Sequence, residues 1–203
     1  MPRNESFPVP KTTKTAPEGF PRNSLSPEIR KETLATFAAI KKDPESFIDK
    51  GGAGSIHRLP GGICMKIPLP HYERHQKEFK LKLGNLLPEE ASFLKKVSGS
   101  MHHGVRAPRF LGLVTSEEFS AILMEELPAV NLQKIINGVE KLPKEFHFDA
   151  FFKAIEEYLE FLHRDMGIVH GDFDSRNVMV DRETGAPYVI DFGRSKILER
   201  LPE

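Results

Sequence analysis

The sequence predicts an α+β chain, and three stretches predict it. Phe47 to Pro68 alternates short apolar runs with glycine turns, Phe148 to His163 carries apolar residues at helical spacing, and Ile168 to Ser195 holds two apolar runs about a Glu183-Thr184-Gly185 turn. In the third stretch Val178-Met179-Val180 and Tyr188-Val189-Ile190 read as the strands of a hairpin. His170-Gly171-Asp172 and Asn177 precede the hairpin, and Asp191-Phe192-Gly193 follows it. A hairpin brings Asn177 and Asp191 to the same end, where two oxygen donors can share a hard cation such as Mg²⁺. Asp172, on the same loop as Asn177, supplies a carboxylate of the kind that serves as a base toward a hydroxyl.

Composition narrows the function classes. With 203 residues and 39% hydrophobic content the chain can bury a real core, as one domain or as two small lobes. Its 29 basic residues balance 29 acidic ones, so no net field draws it to nucleic acid or to an anionic membrane. The single cysteine, Cys64, excludes an internal disulfide framework and a cysteine cluster for zinc, which fits a reducing compartment. The first residues lack an apolar core of signal-peptide length, and no later segment is long and apolar enough to span a bilayer. A soluble, cytoplasmic protein is expected, with a secreted effector as the open alternative.

Residues 1–25 are rich in Pro, Thr, Lys and Asn and are expected to form a flexible tail. Ser26-Pro27-Glu28 reads as a helix start, so 26–46 is expected to be a helical extension. Gly51, Gly52 and Gly54 then sit between strand-like runs, and backbone N–H groups in such a turn can approach phosphates closely. Lys66 lies in the apolar run Ile63-Cys64-Met65-Lys66-Ile67, where simple alternation would put it on a solvent face and a functional charge would put it inside. His71 to Lys82 is mixed-charge and helix-prone. Leu87-Pro88-Glu89-Glu90 opens a helix with acids in its first turn, and Phe93 and Leu94 then face the core. Two further strands are predicted over Pro108 to Val114 and Ser120 to Leu127, followed by a short helix over Asn131 to Ile136. The helix from Phe148 to His163 is amphipathic, with Phe151, Phe152, Ile155, Leu159 and Leu162 on one side.

The pair of motifs His170-Gly171-Asp172…Asn177 and Asp191-Phe192-Gly193, in this order and joined by a hairpin, resembles the catalytic loop and D-F-G segment of the protein-kinase-like superfamily. The resemblance runs from about Phe47 to Ser195. It implies a two-lobed α+β fold, with an N-lobe over 47–127 and a C-lobe over 128–203 that is truncated and mainly helical. It implies ATP and Mg²⁺ as cofactors and transfer of a phosphoryl group to a protein serine or threonine. Asp172 would then orient or accept the hydroxyl proton, Asn177 and Asp191 would hold the metal, and Lys66 would hold the nucleotide phosphates. Glu90 would pair with Lys66, with Glu89 and Glu78 as alternatives. The backbone at Glu125 and Leu127 would bind adenine, with Met124 at the back of the pocket. Gly51, Gly54 and Ile56 match part of the glycine-loop pattern, while Asp49 stands where its first glycine would be.

Two departures shape the reading. Gly171 replaces the arginine of H-R-D, which removes a partner for a phosphorylated activation loop. Asp174 stands where many kinases have a catalytic-loop lysine, leaving Arg176 as a substitute charge on the γ-phosphate. The H-G-D form is similar to compact atypical kinases, among them the kinase of the tRNA-modifying KEOPS complex, the RIO kinases and minimal bacterial effector kinases. A nucleotide-binding pseudokinase acting as an interaction module and a small-molecule phosphotransferase are the alternatives. Lys66 and Asp191 are expected to supply charge and little packing. A protein partner or scaffold is expected against the apolar face of the Phe148–His163 helix.

Overall fold

A computed structural model of the chain describes residues 44–50, 54–68, 87–115, 120–144 and 146–198. The expected tail, most of the 26–46 extension, Gly51, Gly52, Glu78 and the 71–82 stretch lie outside the described residues. Of the extension, Pro44–Ser46 forms a single 3-10 turn.

The described residues divide into two compact units. Residues 44–95 and 109–126 make one, and 96–108 with 127–198 make the other. The first is built on a five-stranded antiparallel sheet of order β1-β2-β3-β7-β6. Its strands are β1 Phe47–Lys50, β2 Gly54–Leu59, β3 Ile63–Pro68, β6 Phe110–Thr115 and β7 Ser120–Glu125. Strands β2 and β3 join through Pro60-Gly61-Gly62, where both glycines have φ near +80° (82° and 72°) and only glycine adopts that geometry without strain. Leu59, Ile63, Met65, Ile67, Val114, Ala121 and Leu123 form one buried cluster on this sheet. Cys64 is buried within β3, and loss of solvation pushes its thiol up to about 12. Helix α1, Leu87–Val97, starts with Glu89 and Glu90 in its first turn and buries Leu87, Ala91, Leu94 and Val97 at helical spacing.

The second unit carries the sheet β4-β5-β11-β10-β8. Its strands are β4 Met101–His102, β5 Val105–Arg106, β8 Ala129–Asn131, β10 Val178–Asp181 and β11 Pro187–Val189. Here lies a correction to the expected boundaries. Residues 96–108 fall with the second unit, because β5 pairs in parallel with β11 through Arg106 and Tyr188, a long-range pairing that no local pattern signals. Helices α2, Leu132–Ile136, and α3, Phe148–Arg164, complete the unit with a small β9–β12 ladder of Ile168–Val169 and Lys196–Ile197. Val130, Leu132, Phe151, Ile155, Val178 and Val180 form its buried cluster. On α3 the buried stripe is Phe151, Ala154, Ile155, Tyr158 and Leu162. Phe152, expected inside, is 53% exposed, since each helical residue turns about 100° and carries it to the stripe's margin. The stripe therefore serves the unit's own core, leaving Phe148 and Phe152 as the exposed aromatic rings of α3. No helix among the described residues is long and apolar enough to cross a membrane.

The β10–β11 hairpin is pinned from its turn end. The buried Asp181 carboxylate accepts from the backbone N–H groups of Glu183 (2.9 Å) and Thr184 (2.8 Å) and from the Tyr188 hydroxyl (2.8 Å). Burial alone would raise its pKa, yet the hydrogen bonds from Thr184, Tyr188 and Glu183 together hold it below the usual carboxylate range. Asp181→Ala leaves these donors without their acceptor and is expected to cost about 3 kcal/mol. A lower urea midpoint at unchanged slope would register that loss, and an unaltered midpoint would show that the hairpin does not depend on Asp181.

Candidate active site

Lys66 sits on β3 between Met65 and Ile67, and all three are buried. Its Nζ donates to Glu90 Oε1 at 2.6 Å, and both residues are only 6% exposed. The helix start at Leu87-Pro88 sets this contact, because it places Glu90 in the first turn of α1 and on its buried side. Glu89, the neighbouring candidate, is exposed. Two charges removed from water are a costly way to add stability, and breaking such a buried pair is strongly destabilising. The expectation that Lys66 contributes little to the fold is therefore corrected. Gly54 stands close by: a Cβ there would meet the Ile67 carbonyl oxygen at 2.7 Å and the Lys66 side chain at 3.5 Å.

In the second unit the hairpin places Asn177 and Asp191 at its open end. Val178 pairs with Val189, and Ile190 N–H donates to Asn177 O at 2.9 Å, so the residues flanking the two strands meet. Asn177 is buried and its Nδ2 donates to the Asp172 carbonyl at 2.7 Å. That bond orients the amide, with Oδ1 as its acceptor oxygen. Asp191 has φ +62°, a left-handed conformation that Asp tolerates better than most side chains, and its Oδ1 accepts from Gly193 N–H at 3.2 Å.

His170 is the buried anchor of the loop. A carbonyl can only accept, so His170 Nε2 carries the hydrogen given to Ile190 O at 3.0 Å, and Nδ1 faces the Asp172 N–H at 3.4 Å as an acceptor. Burial lowers its pKa, and the Phe192 ring lies 4.9 Å away. Ser195 Oγ donates to His170 O at 3.1 Å. Gly171 has φ +78°, and a Cβ at that position would lie 2.1 Å from the Arg194 carbonyl oxygen. Gly171 is thus needed for the chain after Phe192 to fold back over the loop.

The arginines of the site behave differently from one another. Arg176, expected as a free charge for phosphate, is forked onto Asp174 through Nε (3.1 and 3.0 Å) and Nη2, while the same aspartate caps the Arg176 N–H at 2.7 Å. The hydrogen bond from Arg176 holds the Asp174 carboxyl below its ordinary range. Arg194, which sequence reasoning passed over, reaches Asp172 Oδ1 with Nη1 at 3.4 Å. Asn131 was also missed. Its Oδ1 caps α2 at Gln133 N–H (2.9 Å) and its Nδ2 donates to Arg176 O (2.6 Å), fastening the loop. An asparagine opening a helix is a local cap signal, but the reach of Asn131 to Arg176 and of Arg194 to Asp172 depends on the folded path of the chain.

At the end of β7, Glu125 N–H donates to Arg109 O at 3.0 Å, and its carboxylate accepts from Arg109 N–H at 2.7 Å. Leu127 begins the second unit's main stretch.

The donor set fits the expected cation. Among the described residues no group of three or more His, Cys, Asp or Glu side chains could hold a metal alone. Asn177 and Asp191 offer hard oxygen donors, as suits Mg²⁺, which keeps waters and substrate phosphates as its other ligands.

Residues 64–203 match the protein kinase domain family. A mitogen-activated protein kinase kinase kinase of Pyricularia oryzae is 32% identical over 76% of this chain and 17% of its own length. Mitogen-activated protein kinase kinase kinase 15 of Mus musculus is 33% identical over 44% of the chain and 7% of its own length. The serine/threonine-protein kinase pim-2 of Danio rerio is 26% identical over 76% of the chain and 52% of its own length. The chain thus spans at most about half the length of these relatives.

Lys66→Met breaks the buried bond to Glu90 and is expected to destabilise the fold by about 3–5 kcal/mol. Adding Glu90→Leu should return most of that loss, a coupling that a double-mutant cycle in urea reads directly. Additive losses would mean that the pair is not coupled. The pH dependence follows from His170. A histidine whose folded pKa lies below the ordinary 6.5 contributes stability that is full above 6.5 and is lost as pH falls through the folded value. His57, also buried with a lowered pKa, acts in the same direction. The urea midpoint should decline from about pH 7.5 to 5, and less steeply in His170→Gln. A midpoint that rises toward acid would contradict the neutral form of His170.

Proposed function

Because the chain belongs to the protein kinase domain family, we propose that it transfers the γ-phosphoryl group of ATP to a serine or threonine hydroxyl of a protein, with Mg²⁺ as the bound cation. The observation that carries the reading is the buried Lys66–Glu90 pair, which is poorly explained as a stability device and well explained as a fixed positive charge for nucleotide phosphates. Glu90 holds Lys66 in place. Asn177 and Asp191 hold the cation, which neutralises charge on the phosphates. The main chain at Gly54 is assigned to the phosphates and that at Glu125 and Leu127 to adenine, while Gly51 and Gly52, read with Gly54 in the sequence, lie outside the described residues. Asp172 orients the acceptor hydroxyl and takes its proton as the new oxygen–phosphorus bond forms and the bond to ADP breaks. Arg176, engaged by Asp174, is assigned to holding the loop instead of to the γ-phosphate.

We place the chain with compact atypical kinases on the form of its loop. The main chain of Arg194 occupies the space that a side chain at Gly171 would need, so a switch that works through an arginine at that position is foreign to this loop. The choice of serine or threonine is supported by the name of the Danio rerio relative. A nucleotide-binding module without transfer is the second reading, favoured by the Arg194 guanidinium resting on Asp172.

ATP with Mg²⁺ at a hundred times its dissociation constant is expected to stabilise the fold by about 2.7 kcal/mol. Asp191→Ala should lose the Mg²⁺-dependent part. Transfer of labelled γ-phosphate should fall by roughly 10²–10⁴ in Asp172→Asn. Stabilisation without transfer would leave the module reading standing, and no stabilisation under any condition would remove both.

A further inference from the structure

We infer that Arg194 is a specificity residue that reads a carboxylate or phosphate beside the acceptor hydroxyl, and that it releases Asp172 when it does so. The inference rests on the phosphoryl transfer proposed above.

The main chain of Arg194 is held firmly. Ser195 N–H donates to Phe192 O at 3.1 Å, Ser195 Oγ to His170 O at 3.1 Å, and Leu198 N–H to Gly167 O at 2.8 Å. Lys196 pairs with Val169 in the β9–β12 ladder, and the bare Gly171 lets the Arg194 carbonyl pack directly on the loop. The side chain is held loosely by comparison. It is 56% exposed and touches Asp172 through one contact at 3.4 Å, whereas Arg176 grips Asp174 through a fork. An exposed, singly bonded ion pair of this kind is readily exchanged for another anion.

Exchange has a chemical consequence at Asp172. While Arg194 Nη1 faces Oδ1, that oxygen is partly engaged and less available to a hydroxyl proton. An acceptor with an anionic group next to its hydroxyl would meet the Asp172 carboxylate, and like charges at close range repel it unless a cation meets it first. A guanidinium fork matches both carboxylate and phosphate in two parallel hydrogen bonds, which a single contact to Asp172 does not rival. Moving to the acceptor's anion, Arg194 both offsets that repulsion and frees Oδ1. The acceptor oxygen then bonds to the γ-phosphorus, the bond from phosphorus to ADP breaks, and the hydroxyl proton passes to Asp172.

The test uses three peptides that differ only in the residue next to the acceptor serine, which is Glu, phosphoserine or Gln, with wild type, Arg194→Gln and Arg194→Lys. The wild-type kcat/KM is expected to be about tenfold higher for the two anionic peptides than for the Gln peptide, and the ratio should shrink as salt rises. Arg194→Gln should bring the ratio to about one with an unchanged melting temperature, and Arg194→Lys should keep part of it because charge remains and the fork is lost. Preference for only one of the anionic peptides would still support the inference and would name the anion. A ratio unchanged in Arg194→Gln, or no anionic preference in the wild type, overturns it while phosphoryl transfer stands. No transfer to any peptide overturns the proposed activity as well.

Discussion

The loop from His170 to Asn177 takes its shape from a few short hydrogen bonds to the residues that follow it, and the site depends on that single constraint. His170 is bonded through its ring to Ile190 O and through its carbonyl to Ser195 Oγ, while Asn177 receives the Ile190 N–H. The two carboxylates and the amide assigned to catalysis therefore sit on one short, closed network. None of these bonds needs a flexible side chain to find its partner across a long span. Geometry held in this way suits a reaction in which positioning and charge neutralisation supply most of the rate.

Charge is distributed on a different plan in each unit. Lys66 and Glu90 are buried as a pair, so their separation is fixed and their charges act at low effective dielectric. Asp172 with Arg194 and Asp174 with Arg176 are solvent-facing pairs whose strength depends on ionic conditions. The buried pair is rigid and intolerant of substitution. The exposed pairs are adjustable, since each can exchange its partner for another ion.

Much of the site was legible because its signals are local. The two apolar runs, Val178 to Val180 and Tyr188 to Ile190, with a turn between them, make a hairpin that puts Asn177 and Asp191 at the same end. The start of α1 at Leu87-Pro88 decides which glutamate turns inward, and it is Glu90. What escaped was non-local or too local. Arg194 and Asn131 reach the loop only once the chain has folded back on it. Arg176 was expected as a charge on the γ-phosphate, but Asp174, two residues away, caps the 3-10 turn Ser175–Asn177 and holds the guanidinium itself, a contact that apolar periodicity does not mark. Residues 96–108 went to the wrong side of the boundary because the parallel Arg106–Tyr188 pairing joins segments some eighty residues apart, a separation at which sequence pattern carries no register information.

Cys64 has a practical consequence of its own. It is the chain's one cysteine, it lies within β3, and its thiol is pushed up to about 12, so almost none of it is thiolate at neutral pH. Burial and the raised pKa together disfavour reaction of the native protein with maleimides and iodoacetamides. A single cysteine introduced at an exposed position, such as that of Lys153 on α3, would become the one site for attaching a fluorophore or spin label. Label-based distance measurements on the folded chain could then proceed without first removing the natural thiol from the middle of a packed strand.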